Sequence, residues 1–247
     1  MTTSASLLDQ VAIVLVRPKI PENIGAAARI AWNMGIKRLI LVRKTIPERE
    51  EMAKMATHKA AHLIDTIEVY SDLREALADF SVVVGTTARR GRHRFAVQGP
   101  REIAAILLPL LAANRTALIF GPEDTGLTND DLSFCQFASA IPTADFSSIN
   151  LAQAVAIHCY EMYYAVVHAQ KDMVPSPKLA TSFELESMYA AVETAIDTLY
   201  QVERTQKENW LENIRHLLNK RALTAREAST VRGVCKKLNQ QRKTSIR

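Results

Sequence analysis

Residues 118–156 read LIFGPEDTGLTNDDLSFCQFASAIPTADFSSINLAQAVA, and the fold follows from how that stretch is punctuated. Two short apolar runs are each followed by a polar loop rich in turn formers. The second loop ends in Ser147-Ser148, directly before a long apolar helix expected from about Ile149 to His168. Two such loops at the ends of neighbouring strands make a crevice, which is where open α/β sheets bind ligands. No other part of the chain sets so many turn formers between apolar runs.

Working outward, Val11 to Arg17 (VAIVLVR) is a continuous apolar run, the mark of a strand buried on both faces. Pro18 and Pro21 end it, and Asn23-x-Gly25 opens a helix, GAAARIAWNMG, that Gly35 stops. Further strands are expected at residues 38–43, 66–70, 81–86, 115–120 and 137–141. Helical stretches are expected at about 48–62 and 73–79, and from Pro100, a residue suited to a first helical turn. Strands alternating with helices, most of them apolar throughout, predict an α/β fold with a parallel sheet covered on both faces. That domain is assigned residues 1–172. A linker at 173–180 contains MVPSPK, whose prolines favour extended backbone. From residue 181 to 247 there is no proline, and no glycine before Gly233. Leu185, Met188, Tyr189, Val192, Ile196 and Leu199 recur at helical spacing, so this part is read as a separate all-helical extension.

The composition, 48% hydrophobic and 23% charged, suits a protein with a real core. Charges interrupt every apolar run before it reaches membrane-spanning length, and MTTSASLLDQ lacks the basic start and apolar core of a secretory signal. Cys135, Cys159 and Cys235 are too far apart for a disulfide framework or a metal knuckle, so a reducing, cytoplasmic setting is expected. The net charge of +5 is unevenly spread. Residues 213–247 hold ten Lys or Arg against one acid, Glu227, whereas the rest of the chain holds 21 basic and 25 acidic residues. A tail at +9 on a body at −4 points to a polyanionic partner, because clustered cations release counterions from phosphates.

Several chemistries are excluded by their missing signatures. No G-x-G-x-x-G follows a strand and no G-x-x-x-x-G-K-[ST] occurs, so neither common phosphate cradle is present. His58 and His62 are spaced like zinc ligands, but HKAAH lacks the glutamate of a metalloprotease helix, and no metal is expected. There is no G-x-S-x-G nucleophile elbow.

Three ordered motifs remain: Asn23-x-Gly25-x-x-x-Arg29; Phe120-Gly121-Pro122-Glu123-Asp124-x-Gly126-Leu127; and Ile141-Pro142 with Ser147-Ser148-Ile149-Asn150-Leu151-Ala152. Together they resemble the motifs of the SpoU/TrmH branch of the SPOUT methyltransferases over about residues 10–170. The tail resembles the helical extension of the TrmJ subgroup, bacterial tRNA ribose methyltransferases acting on the anticodon loop. Two departures are Pro122, where that subgroup commonly has arginine, and Phe146, where it has tyrosine; the second leaves the target base preference open.

The resemblance implies a topology, a cofactor, a reaction and partners. The sheet would be tied in a deep trefoil knot, a topology general folding rules make very rare. S-adenosylmethionine would lie in it, held by Thr86, Thr87, Ala88, Gly121, Glu123, Ile141, Ser147, Ser148 and Ile149. Gly121 would let the backbone approach that ligand, and Ser147 and Ser148 suit capping of the long helix as well as ligand contact. The reaction would be (cytidine/uridine-2′-O-) methylation of tRNA, at position 32, with ribosomal RNA methylation or silent RNA binding as alternatives. Arg29 would clamp the phosphate beside the acceptor ribose, since arginine stays protonated and is a poor base. Ser148 and Asn150 would orient the ribose or Arg29, and Glu123 would hold loop amides. RNA contacts would come from Asn23, Arg29, Arg89, Arg90, Arg92, His93 and Arg94, and from Lys220, Arg221, Arg226, Arg232, Lys236 and Lys237. A homodimer through the first and last helices of the domain is also implied, although burial within one chain would give those helices the same apolar faces. Neither membrane nor DNA is an expected partner.

Overall fold

The computed structural model describes residues 7–88, 97–169, 176–199, 204–219 and 222–245. Its seven strands are β1 (Val11–Val16), β2 (Arg38–Val42), β3 (Glu68–Tyr70), β4 (Val82–Thr86), β5 (Val97–Gln98), β6 (Thr116–Phe120) and β7 (Phe137–Ser139). They form one sheet in the order β3-β2-β1-β6-β4-β7-β5, and every pairing is parallel. The helices are α1 (Pro21–Asn33), α2 (Arg49–Asp65), α3 (Leu73–Leu77), α4 (Pro100–Leu107), α5 (Asn129–Ser133), α6 (Leu151–Val167), α7 (Ser182–Leu199), α8 (Arg204–Asn219) and α9 (Ala225–Ser245).

The unbroken apolar strands are explained by two cores. Along β1, Val11, Ile13 and Leu15 enter the layer formed with α1, α2, α4 and α6, while Ala12, Val14 and Val16 face Leu73, Leu77, Phe80 and Leu132 on the other side. Leu118 and Phe120 of β6 alternate with Ala117 and Ile119 in the same way. Because both faces are covered, no polar alternation survives in the sequence. Expected strand ends shorten by one or two residues, and two short elements within the expected loops, β5 and α5, carry too little periodicity to be legible. The polar helix α2 extends to Asp65 and is broken at Thr57, whose φ of +57° and ψ of 158° are not helical.

Gly25 is where α1 and α2 come closest. A Cβ there would sit 1.8 Å from the Met52 carbonyl oxygen, so no larger residue fits between the two backbones.

The described residues after 181 form three helices. Capping boxes open two of them: the Thr181 and Thr224 amides donate to Glu184 and Glu227, each at 2.8 Å, and those glutamates' amides return hydrogen bonds to the threonine hydroxyls. Leu185, Met188, Tyr189 and Ala228 form a small core of their own. Part of the stretch read as a linker is fastened down. Buried Asn114 donates to the Pro177 carbonyl and accepts from the Leu179 amide, and the Ser182 amide donates to the Phe80 carbonyl. Among the described residues no helix is long and apolar enough to cross a membrane.

Candidate functional site

Strands β6, β4 and β7 are neighbours, so their C-terminal tips lie side by side and the loops leaving them share one wall. There a cleft of about 390 Å³ opens. Thr86, Thr87 and Ala88 line it after β4, residues Phe120 to Leu127 after β6, and Ser139, Ile141 and Ser147 to Ile149 after β7. All nine residues expected at the cofactor are thus brought together. The size is within the range of small-molecule sites, roughly 300–1,000 Å³.

The three motifs are joined by one chain of hydrogen bonds. Glu123 accepts from the Lys19 amide at 2.8 Å, the Ile20 amide at 3.2 Å and Asn23 Nδ2 at 2.9 Å. Asn23 Oδ1 in turn accepts from Asn150 Nδ2 at 3.1 Å. Burial opposes ionisation of Glu123, but the hydrogen bonds from Asn23 and the two amides outweigh it and hold the carboxyl below its usual range. Both carboxylate oxygens therefore carry hydrogen bonds, and Glu123 ties the loop after β6 to the segment that opens α1. Two ion pairs reinforce the same clasp, Lys19 with Asp124 at 2.6 Å and Arg17 with buried Asp131. Asp131 and Thr128 form the capping box of α5, so the loop after β6 is fixed at both ends.

Several expectations change here. Ser147 and Ser148 do not cap the long helix. Asn150 does, its side-chain oxygen accepting from the Ala152 and Gln153 amides, because the helix begins at Leu151 and a cap serves only the next two or three amides. Asn150 is thereby engaged by the cap through its oxygen and by Asn23 through its nitrogen. Asn23, expected to face RNA, is buried, with its carboxamide shared between Glu123 and Asn150. Gly121 lines the cleft, and its own loop also requires the missing side chain. A Cβ would meet the Gly126 carbonyl carbon and the Leu127 nitrogen at 2.3 Å. Arg29 is exposed on α1 and does not line the cleft. Arg89, Arg90, Arg92, His93, Arg94, Lys220 and Arg221 lie outside the described residues. Of the remaining tail cations, Arg226, Lys236 and Lys237 are exposed, while Arg232 bonds to Ser187 of α7.

No motif singles out His158 as a site residue, yet it lines the cleft beside Ser139. Its Nδ1 faces the Ala154 carbonyl at 2.8 Å and must donate, which leaves Nε2 to accept from the Ser139 hydroxyl at 2.9 Å. Burial pushes its pKa down to about 4, so the ring is neutral. Nothing local to α6 signals that this histidine will find a serine 19 positions away. His62 packs edge-on against Trp32, with ring centroids 4.1 Å apart.

Electrostatics narrow what the cleft accepts. Its charged lining side chains are Glu123 and Asp124, and the described lining residues include no cation. Both carboxylates are already engaged, Asp124 by Lys19 Nζ at 2.6 Å and Glu123 by Asn23 and two amides, so the described lining offers hydroxyl and backbone groups to a ligand rather than a free charge. The floor, with Phe120, Leu127, Ile141 and Leu151, is apolar, as an aromatic ring requires.

A cleft at three neighbouring strand tips of a parallel sheet, clasped by motifs from three loops, is a small-molecule site, and comparison with known proteins places it in a class of methyl-transferring enzymes. The chain belongs to the SpoU rRNA Methylase family, whose model matches residues 10–160. It is 35% identical over 241 residues to the tRNA (cytidine/uridine/adenosine-2′-O-)-methyltransferase TrmJ of Pseudomonas aeruginosa, covering 92% of this chain and 93% of that protein. It is 30% identical to the tRNA (cytidine/uridine-2′-O-)-methyltransferase TrmJ of Salmonella typhimurium, covering 96% and 99%. The crystal structure of TrmJ from Z. mobilis superposes with a TM-score of 0.79 at 32% identity, over 92% of this chain and 98% of that one.

Proposed function

We propose that this protein is an S-adenosylmethionine-dependent tRNA 2′-O-methyltransferase acting on cytidine or uridine at position 32 of the anticodon loop. The observation that carries this reading is the cleft at the tips of β4, β6 and β7, lined by residues of all three motif loops, in a chain whose relatives over nearly its full length are named as such enzymes. The cofactor supplies a methyl group on a sulfonium cation. Backbone groups at Thr86 to Ala88, Gly121 and Ile141 would take the adenosine, on a loop that Glu123 and Asp124 hold in place through Lys19, Ile20 and Asn23. Ser147, Ser148 and Ile149, just ahead of α6, take the methionine carboxylate, since a helix N-terminus favours an anion.

Arg29 holds the acceptor. It lies six residues beyond Asn23, about 9 Å along the helix axis, and Asn23 touches the cleft-lining Glu123. No described residue pairs with it by hydrogen bond or ion pair, which leaves its guanidinium for a substrate phosphate. Alignment of hydroxyl and methyl then lowers the barrier, where a held near-attack pair contributes up to about 7–11 kcal/mol. The acceptor proton goes to the phosphate or to water.

The same reading includes the trefoil knot, and a homodimer through α1 and α6. The dimer is supported by α6's exposed stripe of Tyr160, Tyr163, Tyr164 and Val167, apolar surface with no covering element among the described residues. The helices after residue 180 form the extension that carries the basic surface to tRNA, and the setting is the cytoplasm.

Purified protein given radiolabelled cofactor with separate tRNA and ribosomal RNA pools should label tRNA, at a ribose 2′-oxygen of nucleotide 32. Calorimetry showing that the protein ignores both S-adenosylmethionine and its demethylated product would overturn the assignment. Labelling of ribosomal RNA, or of nucleotide 34, would replace the substrate. Arg29→Ala should abolish transfer while leaving cofactor affinity unchanged.

A further inference from the structure

Phe146 is the most exposed of the large apolar side chains among the described residues, at 80%. It joins neither of the two main hydrophobic clusters nor that of the tail. The ring stands on the loop between β7 and α6, and the next three residues, Ser147, Ser148 and Ile149, line the cleft. Folding this loop does not require a phenyl group in water, and its exposed neighbours Ala144, Asp145 and Ser147 are small or polar, as a solvent-facing loop ordinarily is. Asp145 also matters electrostatically: an exposed carboxylate beside the ring repels RNA phosphates, so the phenyl face suits a base rather than the backbone.

We propose that Phe146 is the surface on which the acceptor nucleobase stacks during methyl transfer. This rests on the reading of the protein as an RNA methyltransferase. A loop nucleotide must leave its own stack before its ribose hydroxyl can enter a recessed cleft, and single-stranded bases replace lost stacking with aromatic side chains. Phe146 is one residue from the cleft lining, on the rim where an incoming nucleotide would first make contact. A phenyl ring has neither donor nor acceptor, so it takes the π-face of a base and does not read its hydrogen-bonding edge. Choice between cytosine and uracil therefore does not arise at this residue.

The test uses the full-length protein, calorimetry with S-adenosylmethionine, and steady-state kinetics on unmodified tRNA transcripts carrying cytidine or uridine at the target. Phe146→Ala should raise the KM for tRNA roughly 5- to 150-fold, the usual worth of one base–aromatic stack. The factor should be the same for both bases, with cofactor affinity, melting temperature and molar mass by light scattering unchanged. Phe146→Tyr should restore the wild-type KM. An unchanged tRNA KM overturns the proposal, as does a loss that falls on cofactor affinity, which would make the ring a cover for the donor. A change of molar mass overturns it too, because the ring would then be a contact between copies. Wild-type protein that neither binds cofactor nor methylates RNA would instead bring down the underlying reading.

Discussion

Replacing Glu123 by glutamine separates an anchoring carboxylate from a catalytic base. Oε1 serves the Ile20 amide and Asn23 Nδ2, while Oε2 serves the Lys19 amide at 2.8 Å. A glutamine can keep its carbonyl toward Ile20 and Asn23, but its NH₂ then faces the Lys19 N–H, and two donors confront each other. The loss is one charge-assisted hydrogen bond, about 1.5–3 kcal/mol. In a chain of this size that lowers the melting temperature by roughly 3–12 °C. Thermal unfolding with and without cofactor, together with kcat at saturating substrates, reads the effect. Cofactor affinity should fall because the loop after β6 loosens, while kcat falls little. A variant that melts like wild type but loses 10²- to 10⁴-fold in kcat, the usual contribution of a general base, would refute the anchoring role. The pH dependence has a definite sign. Glu123's folded pKa is depressed, so the stability it contributes is present above the ordinary carboxylate range and is lost as pH falls through the folded value.

Gly25→Ala places a methyl 1.8 Å from the Met52 carbonyl oxygen, and neither backbone can yield locally. A loss of about 3 kcal/mol or more is expected, at the upper end for overpacking, and a melting temperature within 2 °C of wild type would contradict it. His158, held near pKa 4 against an ordinary value of about 6.5, stays neutral when the unfolded chain is already protonated. Stability should therefore decline between pH 6.5 and 4 by up to about 3 kcal/mol from this group, and His158→Leu should flatten that part of a urea-unfolding profile. Converting Lys236 and Lys237 together to alanine should weaken tRNA binding and reduce the slope of log K against log salt by roughly two; an unchanged slope would remove these exposed cations from the RNA surface.

Much of the architecture is written in single strands. VAIVLVR and RTALIF are apolar along their strand positions because both faces of β1 and β6 are covered, and that pattern is local. The three motifs can likewise be named in order, because strand tips and turn formers are local features. The assignment of individual roles is not. Glu123 and Asn150 lie 100 and 127 positions from Asn23 along the chain, and their hydrogen-bonding partners compete with any ligand for the same oxygens. Only folding decides that competition, which is why Asn150 is the cap and Asn23 an internal brace, and why Ser147 and Ser148 are left exposed at the cleft.

By itself, then, the sequence determined that a parallel sheet forms, that turn-rich loops follow its strands, and that a basic helical tail comes after it. Periodicity and charge are properties of neighbours in the chain. The tertiary structure alone decided the strand order β6-β4-β7, which sets three loops around one cleft, and the pairing of His158 with Ser139 beneath it. Those outcomes depend on which distant groups satisfy each other once water is excluded, and no local pattern encodes that.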